Sequence, residues 1–191
     1  MPNWACGTVS VQGNKEGILK FTDRFLYEGD LCEAETKADR YFAQSLTNVV
    51  RSKIVKEIEE LFAKGSSNKS ETYDLPVEFA WSAHSCIING YPQQAPEECI
   101  TLSEACKLDA VSTKITTEEC GMCFEEFISC DSDGVLIDVC NDMPLYKCLH
   151  CGCVMAVSSH YDPENYECCD CGESELVLKS PKDGETGTEV A

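Results

Sequence analysis

The sequence predicts an α+β fold in which helices cover one face of an antiparallel sheet, followed by a small cysteine-rich module. Three observations support this prediction. Segments with alternating β-branched residues are separated by amphipathic helical segments, in an order that suits one helical layer on one sheet. Two CxxCG sequences near the C-terminus, at 148–152 and 168–172, have the spacing of a metal site. An apolar content of 43% and a charged content of 26% are typical of a globular chain.

The chain begins with a predicted strand and a predicted helix. Residues 6–12 alternate small and β-branched side chains and are followed by Gly13, which predicts a strand. Asn14 is a favourable N-cap for a helix that would run to about residue 27. The apolar face of this helix would carry Ile18, Phe21, Phe25 and Leu26.

A helical insertion is predicted at about 30–66. Residues 31–42 are compatible with a helix but have a weak apolar pattern. In the next segment apolar residues recur one helical turn apart, and Lys64 and Gly65 provide a C-terminal stop. The residues of this second apolar face are Val50, Ile54, Ile58, Leu61 and Phe62.

The next part of the chain predicts one strand and one helix. Residues 77–81 have strand composition, and Pro76 is expected at the edge of that strand. Residues 96–108 predict a helix that carries several apolar side chains on one face.

Three further strands are predicted before the cysteine-rich module. Residues 111–117 alternate cleanly, and residues 124–129 and 135–139 have strand composition. The sequence Asp-Ser-Asp-Gly at 131–134 predicts a turn that joins the last two. The order of all these elements is compatible with a ferredoxin-like core that carries a helical insertion.

The predicted domain limits follow from these patterns. The ferredoxin-like domain would span 1–142, and the module at 143–180 reads as a zinc ribbon with strand-like segments around each CxxCG turn. The polar tail at 181–191 has too few apolar residues to pack and is expected to be disordered.

Zn²⁺ is the predicted cofactor of the C-terminal module, because each CxxCG turn can direct two thiolates at one point. The predicted ligands are Cys148, Cys151, Cys168 and Cys171.

Other residues near the predicted zinc site leave its ligand set open. Cys153 and Cys169 are spare thiols, and Cys169 could replace Cys168 through a slip of one residue. His150 and His160 could each replace a cysteine, although four thiolates make positions outside the ligand set more favourable for them.

The CxxC sequence at 120–123 allows three interpretations. Thiol–disulfide exchange requires a helix after the motif, whereas the residues that follow predict a strand. A second metal site would use Cys120, Cys123, Cys130 and Cys140. The favoured interpretation is that these cysteines are small buried apolar residues.

The charge of the chain bears on its partners. It has 34 acidic and 15 basic residues and a net charge of −19. Such a field repels phosphate backbones, so direct binding of duplex DNA is not expected, and it favours basic protein surfaces. A surface selected only for solubility would have the same composition.

Two segments carry a resemblance to a known family. The chain opens with Met1-Pro2-Asn3-Trp4 and runs directly into the first strand. Later, an aromatic strand ending in Trp81-Ser82 precedes a helix, the strand at 111–117 and a Glu–Gly–aromatic hairpin at 119–124. In these features the chain resembles the small phage- and prophage-encoded proteins with a YubB-like ferredoxin domain. The resemblance implies an origin in a mobile element and supplies no catalytic residues.

The leading functional hypothesis is a binding protein without enzymatic activity, encoded by a phage or mobile element. It would inhibit a host nucleic-acid-handling protein by occupying its basic surface, and an anti-defence or anti-CRISPR role is one form of this hypothesis.

Two alternatives remain. A metal-dependent nuclease would use surface carboxylates with magnesium. A zinc-ribbon transcription adaptor would need basic residues on the ribbon, but there is no Lys or Arg between Lys147 and Lys179.

The expected location is the bacterial cytosol. The N-terminus lacks the pattern of a secretion signal, and no apolar run approaches the roughly twenty residues of a membrane span. Fifteen cysteines in such a chain are expected to be reduced or bound to metal.

Overall fold

A computed structural model describes residues 3–26, 40–63, 70–88 and 99–179. The chain divides into two compact units, Met1–Asn141 and Asp142–Ala191, and each is described separately. The predicted tail at 181–191 lies outside the described residues, as do Tyr27 and Lys64-Gly65 at the predicted ends of two helices.

The first unit is built on a six-stranded antiparallel sheet with the strand order β2-β3-β1-β4-β5-β6. The longest strands lie at its centre, where β1 pairs with both β3 and β4. The strands are β1 (Trp4–Gly13), β2 (Ser45–Leu46), β3 (Glu71–Ala80), β4 (Ser112–Glu119), β5 (Phe124–Cys130) and β6 (Leu136–Asp142).

The connections confirm the predicted α+β class with a ferredoxin-like core. The described helices of this unit are α1 (Lys15–Asp23), α2 (Arg51–Ala63) and α3 (Leu102–Asp109), with a single π-helical turn at His84–Ile88. Helix α1 lies between β1 and β2 in the chain, and α3 lies between β3 and β4, so β2-β3-β1-β4 has the ferredoxin-like order. Helix α2 is the inserted element, and β5 and β6 extend the sheet.

The core lies between the helices and one face of the sheet. Alternate residues of β1 and β3 point into it, which is the period expected for a strand with one covered face. Four aromatic rings form its centre, with ring centroids 4.7 Å apart for Phe25 and Phe42 and 6.1 Å apart for Phe25 and Phe79. Ile54 and Ile58 of α2 belong to the same core, so the inserted helix packs in the common helical layer.

Helix α1 begins as predicted but ends earlier. The side chain of Asn14 accepts a hydrogen bond from the Gly17 amide at 2.8 Å, which confirms the N-cap. The helix ends at Asp23, not near residue 27, because the Arg24 carbonyl accepts a hydrogen bond from the Phe42 amide instead of continuing the helix. The buried Arg24 guanidinium also pairs with Asp109 at the end of α3, with N–O distances of 2.7 and 2.8 Å.

Two other helix predictions need correction. Residues 40–42, the described end of the predicted 31–42 helix, are not helical. The helix predicted at 96–108 begins at Leu102, and Cys99 instead forms a parallel bridge with Tyr41. Thr101 caps α3, because Thr101 and Glu104 form a reciprocal capping box that fixes the start of the helix.

Strand β3 is longer than predicted, and Pro76 lies inside it. Pro76 is opposite Thr8 of β1, and its carbonyl accepts a hydrogen bond from the Thr47 hydroxyl at 2.7 Å on the side away from β1. The nitrogen of a strand residue points to the same side as its carbonyl, so the missing N–H removes no bond to β1.

The two edges of the sheet differ. On one side β2 pairs with only two residues of β3, and Pro76 lies in the remaining outer edge. On the other side β6 is the last strand, and two of its apolar side chains are exposed, Ile137 by 63% and Val139 by 44%.

A buried carboxylate joins the sheet to the helical layer. Glu126 of β5 is 1% exposed and accepts hydrogen bonds from the Thr117 hydroxyl at 2.8 Å and from the amides of Ala83 and His84 at 2.8 and 3.0 Å. It therefore holds the start of the π-helical turn, an element that the sequence patterns did not predict. The His84 ring contacts Asp138 of β6.

The second unit contains a three-stranded antiparallel sheet with the order β8-β7-β9. Its strands are β7 (Leu145–Cys148), β8 (Val154–Ala156) and β9 (Leu176–Leu178), and a short 3₁₀ turn spans Pro163–Asn165. The three predicted strand-like segments around the CxxCG turns are these strands. Among the described residues of both units, no helix has the length and apolar character needed to cross a bilayer.

Candidate metal centre

The two CxxCG turns have the same local structure. In the first turn the Cys148 amide donates to the Cys153 carbonyl at 2.9 Å, and the Gly152 amide donates to the Cys148 carbonyl at 3.0 Å. In the second turn the equivalent bonds join Cys168 to Glu173 and Gly172 to Cys168, both at 2.8 Å. Residues at the same position of the two turns are therefore structurally equivalent.

Each turn depends on a glycine in a left-handed backbone conformation. The φ angles are +78° for Gly152 and +76° for Gly172, a region that residues with a Cβ atom enter only with strain. A Cβ atom added at either glycine would meet nothing within 4 Å. The backbone conformation, not a lack of space, therefore requires glycine at these positions.

The turns bring together the four cysteines expected to bind metal. The Sγ atoms of Cys148, Cys151, Cys168 and Cys171 all lie within 4.8 Å of one another. The Sγ atoms of Cys148 and Cys171 are 3.7 Å apart, and those of Cys151 and Cys168 are 3.6 Å apart. These four residues are close enough to bind a metal ion.

The distances fit a tetrahedral ion. Metal–sulfur bonds of about 2.3 Å at tetrahedral angles place the sulfur atoms about 3.8 Å apart. A disulfide would need about 2.05 Å, so the observed separations are those of ligands around an ion and not of bonded sulfurs. The donor set of four cysteines and its geometry therefore fit a tetrahedral metal ion.

The backbone around the turns stabilises thiolates on the first cysteine of each pair. Hydrogen bonds from the amides of Cys171 and Asp170 lower the pKa of Cys168 to about 7. The pKa of Cys148 is also lowered, mainly by a hydrogen bond from the Cys151 amide. N–H donors that stabilise a thiolate also orient it for a metal.

The last cysteine of the cluster behaves differently without an ion. The Glu173 amide lowers the pKa of Cys171, but loss of hydration and hydrogen bonds with the other three thiols outweigh it and raise this pKa to about 12. Four thiols this close cannot all ionise without a cation, so metal binding must release protons from the cluster.

Position bears on the alternatives for the ligand set. Cys168 is buried and belongs to the group of four whose Sγ atoms lie within 4.8 Å of one another, whereas Cys169 is exposed and lies outside that group. His150 and His160 are exposed, and neither belongs to a group that could hold a metal among the described residues. A hydrogen bond with Asp170 raises the pKa of Cys153 to about 12.

The alternative metal site at Cys120, Cys123, Cys130 and Cys140 is wrong. Cys120 and Cys123 precede β5, whereas Cys130 is its last residue. Seven extended residues separate the two ends by more than about 20 Å. The idea that these cysteines are all buried is also wrong, because Cys120 and Cys140 are exposed and only Cys130 is buried.

The CxxC sequence at 120–123 forms the turn between β4 and β5, so no helix follows it to activate a thiol. The Glu119 carboxylate accepts hydrogen bonds from the amides of Gly121 and Met122. Burial, followed by the charges of Glu118 and Glu119, raises the pKa of Cys120. A raised thiol pKa opposes disulfide exchange.

The same turn belongs to an acidic feature that joins residues of two strands distant in the sequence. We define the acidic end of the sheet by Glu78, Glu118 and Glu119. In the strand register Glu78 of β3 and Glu118 of β4 are both opposite Cys6 of β1. Burial and then the charge of Glu78 raise the pKa of Cys6, with further contributions from Glu118 and Glu119.

No Lys or Arg neutralises the acidic end in the part of the chain that the structure describes. The carboxylate of Glu78 accepts a hydrogen bond from the Asn48 amide group at 2.7 Å, and that of Glu119 binds backbone amides. The nearest basic residue on β4 is Lys114, four residues or about 14 Å along the strand from Glu118. Only the pairing of distant strands brings Glu78 to Glu118, which is why local sequence patterns could not reveal this site.

Comparisons with protein-family models, curated proteins and solved structures find no match to this chain.

Proposed function

We propose that this protein is a zinc-stabilised acidic binding protein that occupies a basic, nucleic-acid-binding surface of another protein. The observation that carries the proposal is the uneven distribution of charge within the first unit. The helical layer is balanced by ion pairs, whereas the acidic end of the sheet has no basic partner among the described residues.

The balance of the helical layer comes from pairs between neighbouring side chains. Such exposed pairs add little stability, but they reduce the net field of the surface that carries them. The pairs are Lys15–Glu59, Lys20–Glu16, Arg40–Glu104, Arg51–Asp23, Lys53–Glu57 and Lys56–Glu60.

Among the described residues, the unbalanced negative charge therefore lies away from the helices of the first unit. The second unit is acidic throughout its centre, with no Lys or Arg between Lys147 and Lys179. An acidic surface attracts basic clefts and competes there with nucleic acid, because both present negative charge to the same cations.

Zinc is the ion that we propose for the four-cysteine centre. The sulfur separations of 3.6 and 3.7 Å and the all-thiolate donor set support it. Four protein ligands leave no open position on the ion, so its role would be structural: it would hold the second unit as a rigid module for partner contacts.

The partner class that we propose is a host nucleic-acid-handling protein of a bacterial defence system, a CRISPR effector included. The resemblance of Met1-Pro2-Asn3-Trp4 and the later hairpin to phage-encoded proteins supports this choice. The bacterial cytosol is the proposed location, since a chain with fifteen cysteines and two CxxCG pairs with metal-ligand spacing is expected in a reducing compartment.

A competitive capture experiment tests the proposal. Tagged protein is incubated with nuclease-treated bacterial lysate. Captured proteins are eluted by competition with a single-stranded oligonucleotide and are then identified by mass spectrometry. The paired variant Glu78→Gln and Glu118→Gln should lose at least about tenfold in affinity for the captured partner, since each removes a charge that the cleft would meet.

The matched control removes two charges from the balanced layer. Glu16→Gln with Glu60→Gln has the same net charge as the test variant and should bind like the original protein. Equal losses of affinity in both variants would show that only the net charge matters and not the acidic end of the sheet. An affinity that does not change between low and high salt would contradict the electrostatic basis of the proposal.

A further inference from the structure

Beside the four-cysteine centre lies a second group of potential metal ligands. The Sγ atoms of Cys153 and Cys169 and a carboxylate oxygen of Asp170 lie within 4.8 Å of one another. The Cys169 Sγ and Asp170 Oδ1 atoms are 3.9 Å apart. Around one ion with bonds of about 2.3 Å to sulfur and about 2.0 Å to oxygen, that separation would be about 3.5 Å. Small rotations of the side chains are enough to close the difference.

We propose that Cys153, Cys169 and Asp170 form a second metal site, which binds a thiophilic divalent cation such as Zn²⁺.

The shared structure of the two turns explains how this group arises. Cys153 is the residue after the glycine of the first turn, and Cys169-Asp170 lie between the two ligands of the second turn. If the roles of the two turns are exchanged, Glu173 takes the position of Cys153, and Leu149-His150 takes the position of Cys169-Asp170. Leu149 has no donor atom, so that combination is one ligand short. The two turns therefore build one central site together and one additional site on a single side.

The local charge favours a cation in the second site. A divalent ion held by four thiolates leaves the central site with a net negative charge, and the Asp170 carboxylate of the second group lies beside it. There is no Lys or Arg between Lys147 and Lys179 to offset this charge. A divalent cation bound to the second group would offset part of it.

The second site differs from the first in access. Cys169 and Asp170 are exposed and Cys153 is partly exposed, whereas Cys148 and Cys168 in the first site are buried. Three protein ligands also leave a fourth position of a tetrahedral ion open to water or to a donor from another molecule. The second ion should therefore exchange more readily than the first.

Metal counting on the full-length, reduced protein tests this inference. Native mass spectrometry after addition of excess Zn²⁺ and removal of loosely bound ions should give two zinc ions per chain. The variant Cys169→Ser should keep one, because it lacks a ligand of the second site only. Asp170→Asn should lower the affinity for the second ion by more than the roughly 10–100-fold that is typical when a residue only supports a ligand.

The matched control is Leu149→Ser, which changes the exposed residue equivalent to Cys169 in the first turn. It should bind two zinc ions. A protein that never exceeds one zinc per chain would overturn the proposal, as would a Cys169→Ser variant that still binds two. A Cys169→Ser variant that binds none would also overturn it, because Cys169 would then belong to the central site.

Discussion

The two units of this protein differ in how each is stabilised internally. In the first unit helices and strands share a core of fully buried side chains, with Phe21, Phe25, Phe42 and Phe79 at its centre. Among residues 142–179, the described part of the second unit, the buried apolar side chains are those of Met143, Val157 and two cysteines of the metal cluster, Cys148 and Cys168.

The strands of the second unit show the same contrast. Leu145, Val154 and Val177 are each more than 40% exposed, although they lie in strands. A sheet of three short strands that leaves such residues exposed lacks the apolar burial needed for independent stability. One unit is therefore stabilised by its hydrophobic core, whereas the other would depend on a metal ion held by its four clustered cysteines.

Removal of a ligand is the change that should separate the units most clearly. Cys148→Ser removes one of four ligands from a site whose complete metal-binding free energy is on the order of 10 kcal/mol. We expect the second unit to lose most of its metal affinity and, with it, the protection of β7, β8 and β9 from hydrogen exchange. Strands β1, β3 and β4 should keep their protection. Exchange measured by mass spectrometry, together with metal content, checks both parts.

Cys120→Ser is the control for the loss of a thiol, because Cys120 is exposed and lies in a turn of the first unit. It should leave exchange and metal content unchanged. A second unit that stays protected in metal-free Cys148→Ser would show that the ion does not stabilise it.

A truncation in the aromatic core should have the opposite pattern. Phe79→Ala removes a fully buried ring and should lower the free energy of unfolding of the first unit by about 3–5 kcal/mol. Trp4 and Trp81 are the two tryptophans of the chain and both lie in the first unit, so their fluorescence during denaturant unfolding reports on that unit alone. The metal content should not change, and its loss in this variant would mean that the two units unfold together.

The substitution with the smallest expected effect tests the backbone conformation of the CxxCG turns. Gly172→Ala has space for its methyl group but must adopt φ near +76°, at a cost of about 1–2 kcal/mol. That cost corresponds to a decrease in metal affinity on the order of tenfold, which competition with a chelator measures. Gly172→Asn should lose less, since asparagine tolerates this conformation better. Equal affinities for glycine and alanine would contradict the role of the backbone.

Local patterns in the sequence were sufficient to predict much of this structure. The spacing of the CxxCG turns predicted a cysteine cluster that the structure brings together, because all its geometry is contained in two short segments. Asn14 and the period of Ile54 and Ile58 likewise predicted the start of α1 and the buried face of α2.

What was missed depends on contacts between distant segments. The end of α1 is set by the bond between Phe42 and Arg24 and by the ion pair with Asp109, neither of which follows from the helix itself. The short strand β2 exists only because Ser45 and Leu46 reach the edge of β3. The start of α3 was an avoidable error, since Thr101 and Glu104 have the spacing of a capping box.

The unlike edges of the main sheet have a practical consequence for work with this protein. Proline and a short neighbouring strand prevent a further strand from joining at β3, but the exposed Ile137 and Val139 leave β6 without such protection. At high protein concentration, as in concentrated stocks or crystallisation drops, we expect the molecules to associate through β6. Sample conditions should therefore be chosen to limit association through this strand.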